Sequence, residues 1–165
     1  MKASERVELS GAVRAAIERA IAEARTPGAV ALIGQGDETL CHLAVGERMI
    51  APEHRPMEPD TVFDLASVTK PVATATVILQ LVERGDLTLD TPVGAIIPEF
   101  RAEGHERATI RHLLTHSSGL PAYLHLATRF GEEVPLPERR ARAIASIGAL
   151  PSAYVPGEGF AYSCL

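Results

Sequence analysis

The chain has 165 residues, 46% hydrophobic and 22% charged, which is enough apolar material for one domain with a core and too much for a disordered segment. A net charge of −5 with scattered arginines excludes the basic footprint of a nucleic-acid binder, so no nucleic-acid partner is expected. No apolar run reaches transmembrane length and residues 1–10 are polar, without the apolar centre of a secretory signal. A cytoplasmic protein with no membrane partner is expected, and its two cysteines, Cys41 and Cys164, are expected to be reduced thiols.

In chain order, the first predicted element is an amphipathic helix, because Leu9, Val13, Ala16, Ile17, Ala20, Ile21 and Ala24 recur at three- and four-residue steps. Thr26-Pro27-Gly28 is its expected stop. Its stripe is alanine-rich with mixed charge opposite, which suits core packing better than a membrane surface. Residues 29–34 and 39–46 are short apolar runs around the polar turn 35–38, the pattern of a β-hairpin. Residues 47–60 are polar and broken by Pro52, Pro56 and Pro59, so they are expected to form a surface crossover. A short extended stretch, 62–65, should follow.

Residues 67–85 carry the chemistry. Pro71 has no N–H and its ring collides with the carbonyl four residues back, so it belongs in a first turn, which starts a helix near Ser67. Val72, Ala73, Ala75, Val77, Ile78, Leu79, Leu81 and Val82 make the following turns apolar on nearly every face, with Gly85 as C-terminal cap, so a buried helix is expected. Lys70 lies three residues after Ser67, hence on the same helix face. A serine hydroxyl is a weak nucleophile until a base takes its proton. Lysine, at about 10.4 in its ordinary state, becomes that base where burial disfavours the ammonium. Of the 16 basic residues only Lys2 and Lys70 are lysines, and arginine could not do this work. The alternative is an N-cap serine beside a solvated lysine, since a bare Ser-x-x-Lys match is weak.

Further along, Asp90-Thr91-Pro92 should start a short helix, and another should begin near Thr109 and end at Ser117-Ser118-Gly119. His112 and His116 have the i, i+4 spacing of a zinc pair, but no His-Glu-x-x-His motif surrounds them and no metal is expected. Ser117-Ser118-Gly119 is not a Gly-x-Ser-x-Gly elbow, which disfavours an α/β-hydrolase. Residues 131–138, interrupted by Pro135 and Pro137, read as a surface loop.

The stretch Ala66-Ser67-Val68-Thr69-Lys70-Pro71 after Thr61-Val62-Phe63-Asp64-Leu65, together with Thr109-Ile110-Arg111-His112-Leu113-Leu114-Thr115-His116-Ser117-Ser118-Gly119-Leu120-Pro121, resembles the serine β-lactamase and penicillin-binding-protein superfamily, in its class C and esterase branch. Pro156-Gly157-Glu158-Gly159-Phe160-Ala161-Tyr162-Ser163 resembles the approach to the family's Tyr-x-Asn motif. The resemblance implies an α+β fold with an antiparallel sheet flanked by helices plus a helical region. It implies residues 1–165 as the N-terminal part of one such domain: 1–66 helix, hairpin and crossover, and 67–165 catalytic helix and helical region. It also implies Ser67, Lys70 and Tyr162 as catalytic residues, no cofactor, and a small-molecule ester or amide substrate whose choice rests partly on the 131–138 region.

Two departures from the family stand out. Cys164 occupies the place of the motif's asparagine, which implies an altered substrate contact there. The family's third motif, Lys-Thr-Gly or His-x-Gly, has no counterpart in the 165 residues, which implies a fragment of a longer product with unpaired sheet edges. A carboxylesterase is the favoured activity; a D-alanyl-D-alanine carboxypeptidase or β-lactamase, and a non-catalytic or penicillin-binding fragment, are the alternatives.

Overall fold

Helix α1 spans Ala3–Ala22 in the computed structural model, which describes residues 2–101, 104–125 and 134–165. Its half-buried positions include Leu9, Val13, Ile17, Ala20 and Ile21, the predicted stripe, and this face packs against the sheet. The backbone N–H of Lys2 donates to the Glu5 carboxylate at 2.7 Å, which satisfies one of the donors a helix start leaves open. The helix stops at Ala22, ahead of the expected Thr26-Pro27-Gly28 stop, and Ala24 turns the chain with a φ of 55°. Pro27 disfavours helical geometry at Thr26, so the chain leaves the helix before reaching it.

Strands β1 (Gly28–Gln35) and β2 (Glu38–Met49) form the predicted hairpin, antiparallel, with Gly28 opposite Gly46 and Gln35 opposite Glu38. The turn is two residues long, and Gly36 takes a φ of 58° at its first position, where a type II′ turn calls for glycine. The 47–60 crossover departs from expectation. β2 continues through Glu47 and Arg48, and Arg55–Pro56 adds a short strand, β3, giving the order β1-β2-β3. Pro56 fits because β3 is an edge strand, where a missing N–H costs no ladder bond. Residues 62–65 join no ladder, and Val62 is 93% exposed. Arg6 pairs with Glu38 and Arg48 with Glu58 within this unit, Met1–Leu65.

The second unit, Ala66–Leu165, has its own core of Val93, Phe100, Ala108 and Leu120. Helix α2 is Thr76–Glu83, α3 is Val93–Ile96 and α4 is Ile110–Leu114. The Val93 N–H donates to Ala108 at 2.9 Å and the Ile110 N–H to Thr91 at 3.1 Å, and these bonds tie the starts of α3 and α4 together. The Thr109 hydroxyl caps α4 by accepting from the His112 N–H at 3.4 Å. α4 ends before Ser117: His116 takes the left-handed conformation, φ 56°, so the stop lies ahead of the expected Ser117-Ser118-Gly119. Of the predicted 131–138 loop, residues 131–133 lie outside the described residues. Beyond them Val134 is buried and α5 (Leu136–Gly148) begins, with Pro135 as its N-cap and Pro137 in its first turn, so these prolines start a helix where a loop was expected.

The fold is α+β, an antiparallel sheet with a helix on it and a separate helical unit. Among the described glycines of that unit, Gly119 leaves the least room for a side chain. At its φ of 84° a Cβ would collide with the Ser152 hydroxyl and the Tyr154 carbonyl oxygen. Gly119→Ala is therefore expected to lower the unfolding free energy by about 2 kcal/mol or more in urea titration; a loss below about 0.5 kcal/mol would mean that the 119 and 152–154 segments are not held together.

Candidate active site

Ser67 sits in a 3₁₀ turn, Ala66–Val68, and the chain then widens into a π-helical segment, Lys70–Ala75, before tightening into α2. Pro71 lies in the first turn, as its chemistry requires. The Thr76 hydroxyl donates to the Pro71 carbonyl at 3.1 Å, five residues back. Single π turns inside helices are frequent at functional sites because they re-aim side chains without ending the helix. Here the Lys70 Nζ points at the Ser67 Oγ, 3.2 Å away. Ala66, directly before Ser67, has a φ of 43°, a region that costs a non-glycine residue of order 1–2 kcal/mol and so puts strain into this turn.

The opposing side of the site comes from residues 161–165, some ninety residues later. This segment is held along residues 116–122: Ala161 N–H to His116 O at 3.0 Å, Ser163 N–H to His116 Nδ1 at 3.2 Å, and Cys164 N–H to Ala122 O at 3.0 Å. The buried Ser163 turns away and donates its hydroxyl to Pro121 O at 2.9 Å. Tyr162 and Cys164, two apart, reach Lys70: its Nζ lies 4.9 Å from the Tyr162 ring centre and 3.6 Å from the Cys164 Sγ. The four predicted site residues, Ser67, Lys70, Tyr162 and Cys164, are thus brought together. They stand beside a cavity of about 670 Å³ whose lining includes Lys70, Ile78, Leu113, His116 and Cys164.

Electrostatics sets the protonation order. The hydrogen bond with Tyr162 holds Lys70 above its ordinary value, outweighing the burial that pulls it down, and the Cys164 sulfur adds to the rise. Tyr162 is held below its ordinary value by its hydrogen bonds, with Ser67 first and Lys70 next. Both shifts favour a phenolate–ammonium pair. The burial that would favour a neutral Lys70 is incomplete. Lys70 is only half-buried, and the predicted buried helix is not buried: Val72, Val77 and Leu79 are 60%, 53% and 52% exposed. A helix apolar all round needs neighbours on every side, and the described residues leave this side open.

The histidines are spoken for separately. The His112 Nδ1 accepts from the Thr109 N–H at 3.2 Å, and the His116 Nδ1 from Ser163. Among the described residues no cluster of three or more His, Cys, Asp or Glu could hold a metal, and no helix is long and apolar enough to cross a membrane. Both cysteines are free thiols. The sequence reading missed the place of His116 against Tyr162, ring centres 4.6 Å apart. In the sequence His116 stood out by its i, i+4 spacing from His112 and by its place in the Thr109–Pro121 stretch, neither of which points at Tyr162.

The Beta-lactamase family model matches residues 13–165. Among curated relatives, the chain is 39% identical over 173 residues to esterase EstB of Burkholderia gladioli, covering 94% of this chain and 42% of that protein. Among solved structures it is similar to EstCE1, described as a hydrolase with promiscuous acyltransferase activity, with a TM-score of 0.74, 26% identity, and 98% of this chain and 45% of that one covered. A class C beta-lactamase shares the fold at a TM-score of 0.75 and 21% identity, with 96% and 41% covered. The chain spans less than half the length of these proteins.

The order of ionisation can be read directly. As pH rises, Tyr162 should lose its proton below the ordinary tyrosine range while Lys70 keeps its own. An ultraviolet tyrosinate titration of the chain's three tyrosines should resolve one early component, absent in Tyr162→Phe and moved upward in Lys70→Met. An early component that persists in Tyr162→Phe would contradict this assignment.

Proposed function

The chain belongs to the Beta-lactamase family, and from that premise we propose that it carries the acyl-enzyme-forming site of a serine hydrolase of carboxylesterase type. The observation that carries the reading is the meeting of the Ser67 hydroxyl, the Lys70 ammonium and the Tyr162 phenol in one hydrogen-bonded set. Its 39% identity to an esterase over most of the chain supports an ester as the substrate. The family model runs across both compact units, which supports their being parts of one hydrolase domain.

In this mechanism Tyr162, as phenolate, takes the Ser67 proton as the Oγ attacks the ester carbonyl carbon, and the carbonyl electron pair moves onto its oxygen. Collapse of the tetrahedral species expels the alcohol oxygen, which receives the proton from Tyr162. A water then repeats the sequence: Tyr162 takes its proton, the hydroxyl oxygen attacks the acyl carbon, and the Ser67 Oγ leaves and regains a proton. Lys70 stays an ammonium throughout, holding the phenolate and orienting the serine. Cys164 stands 3.6 Å from Lys70 and is assigned a contact with the bound substrate.

A fluorophosphonate should label Ser67, as mapped by mass spectrometry, and Ser67→Ala should remove the adduct. Tyr162→Phe and Lys70→Met should slow labelling about 10²- to 10⁴-fold, the usual worth of a positioned proton acceptor. Labelling elsewhere than Ser67, or at wild-type rate in both variants, would sink the mechanism. Labelling by a penicillin without turnover would redirect it to a penicillin-binding role.

A further inference from the structure

We infer that His116 is the positioning residue for Tyr162, gripping it by the backbone on both sides and by the face of its ring. The inference rests on the role proposed above for Tyr162 as proton acceptor for Ser67. The His116 carbonyl accepts from the Ala161 N–H at 3.0 Å, and its Nδ1 accepts from the Ser163 N–H at 3.2 Å. The residues on either side of Tyr162 therefore hang from one histidine. The imidazole lies 4.6 Å from the Tyr162 ring, tilted by 45°, and meets Phe160 edge-on at 6.2 Å. The Tyr154 hydroxyl donates to the same carbonyl at 3.4 Å, which helps fix the clamp itself.

Three physical features fit this use. The left-handed φ of 56° sets the His116 carbonyl and side chain onto one neighbouring segment, and histidine is among the residues that tolerate that region. An Nδ1 that accepts from the Ser163 N–H puts the ring proton on Nε2, which fixes the tautomer and the ring's orientation against the Tyr162 segment. The clamp also works at the distance that matters: transfer of the Ser67 proton to Tyr162 depends on hydrogen-bond contact, and a misplacement of about 1 Å can cost about 100-fold in rate. His116 touches neither Ser67 nor Lys70 through any of these bonds, so it acts through Tyr162.

The test compares His116→Ala and His116→Asn with Tyr162→Phe, using fluorophosphonate labelling of Ser67 and the tyrosinate titration, with thermal melts as the control for folding. Asparagine tolerates positive φ and keeps an acceptor near the Nδ1 position but has no ring. His116→Ala should label about 100-fold more slowly and His116→Asn about 10-fold more slowly, an intermediate loss. In both, the early tyrosinate component should move up toward the ordinary tyrosine value of about 10. Wild-type labelling and titration in the folded variants would overturn the inference. Should His116→Ala fail to fold, His116→Asn decides by the same two readouts. If Tyr162→Phe labels at the wild-type rate, the proton-acceptor role falls by that result alone, while the titration still decides whether His116 positions Tyr162.

Discussion

The candidate site depends on one constraint: residues 161–164 must lie against residues 116–122. Ser67 and Lys70 are three residues apart and meet within one local segment, but Lys70 and Cys164 are 94 residues apart in the chain. What joins them is a short series of backbone bonds to His116 O, His116 Nδ1 and Ala122 O, sealed by the Ser163 hydroxyl on Pro121. Each such bond is worth only about 1 kcal/mol net, so the register depends on all of them acting together. Gly119 enters here: its lack of a Cβ lets residues 152–154 pack under the 116–122 turn, and the turn stands on the core residue Leu120.

Given that register, the charges follow. A lysine can become a base either by losing water or by passing the proton task to a neighbour with a more easily moved proton. Lys70 has a phenol, a hydroxyl and a thiol around it and is only half-buried, and these contacts shift the two groups in opposite directions, Lys70 above its ordinary value and Tyr162 below. The two groups then titrate as a pair, with the phenolate form favoured by the ammonium that holds it. The strained turn at Ala66 and the π turn at Lys70–Ala75 serve the same end, aiming the lysine at the serine instead of along the helix.

Much of this was legible in the sequence. Period-3.6 and period-2 patterns located α1 and the hairpin, and the stereochemistry of Pro71 placed Ser67 at a helix start. Sequence spacing paired Ser67 with Lys70, and the resemblance to a family supplied Tyr162. What was not legible depended on tertiary context. Residues 55 and 56 pair only because β2 runs past Gly46, which a polar, proline-rich composition conceals. The direction of the Lys70 shift needed the neighbours of its Nζ, and a run of apolar residues cannot say whether a helix will be covered.

His116 shows where reading by residue type runs out. In the sequence it is the second of two histidines at helical spacing, and that spacing suggests two rings on one face. In the fold α4 has ended by residue 115, and the left-handed turn at 116 rotates the second ring off the helix and onto the Tyr162 segment. Histidine has no strong preference for that backbone region, unlike glycine, so nothing local announces the turn. At that turn one residue presents two acceptors, a carbonyl to the Ala161 N–H and an imine nitrogen to the Ser163 N–H. A function carried by the backbone conformation of one residue, acting on a segment more than forty positions away, follows from register, and register is a property of the folded chain.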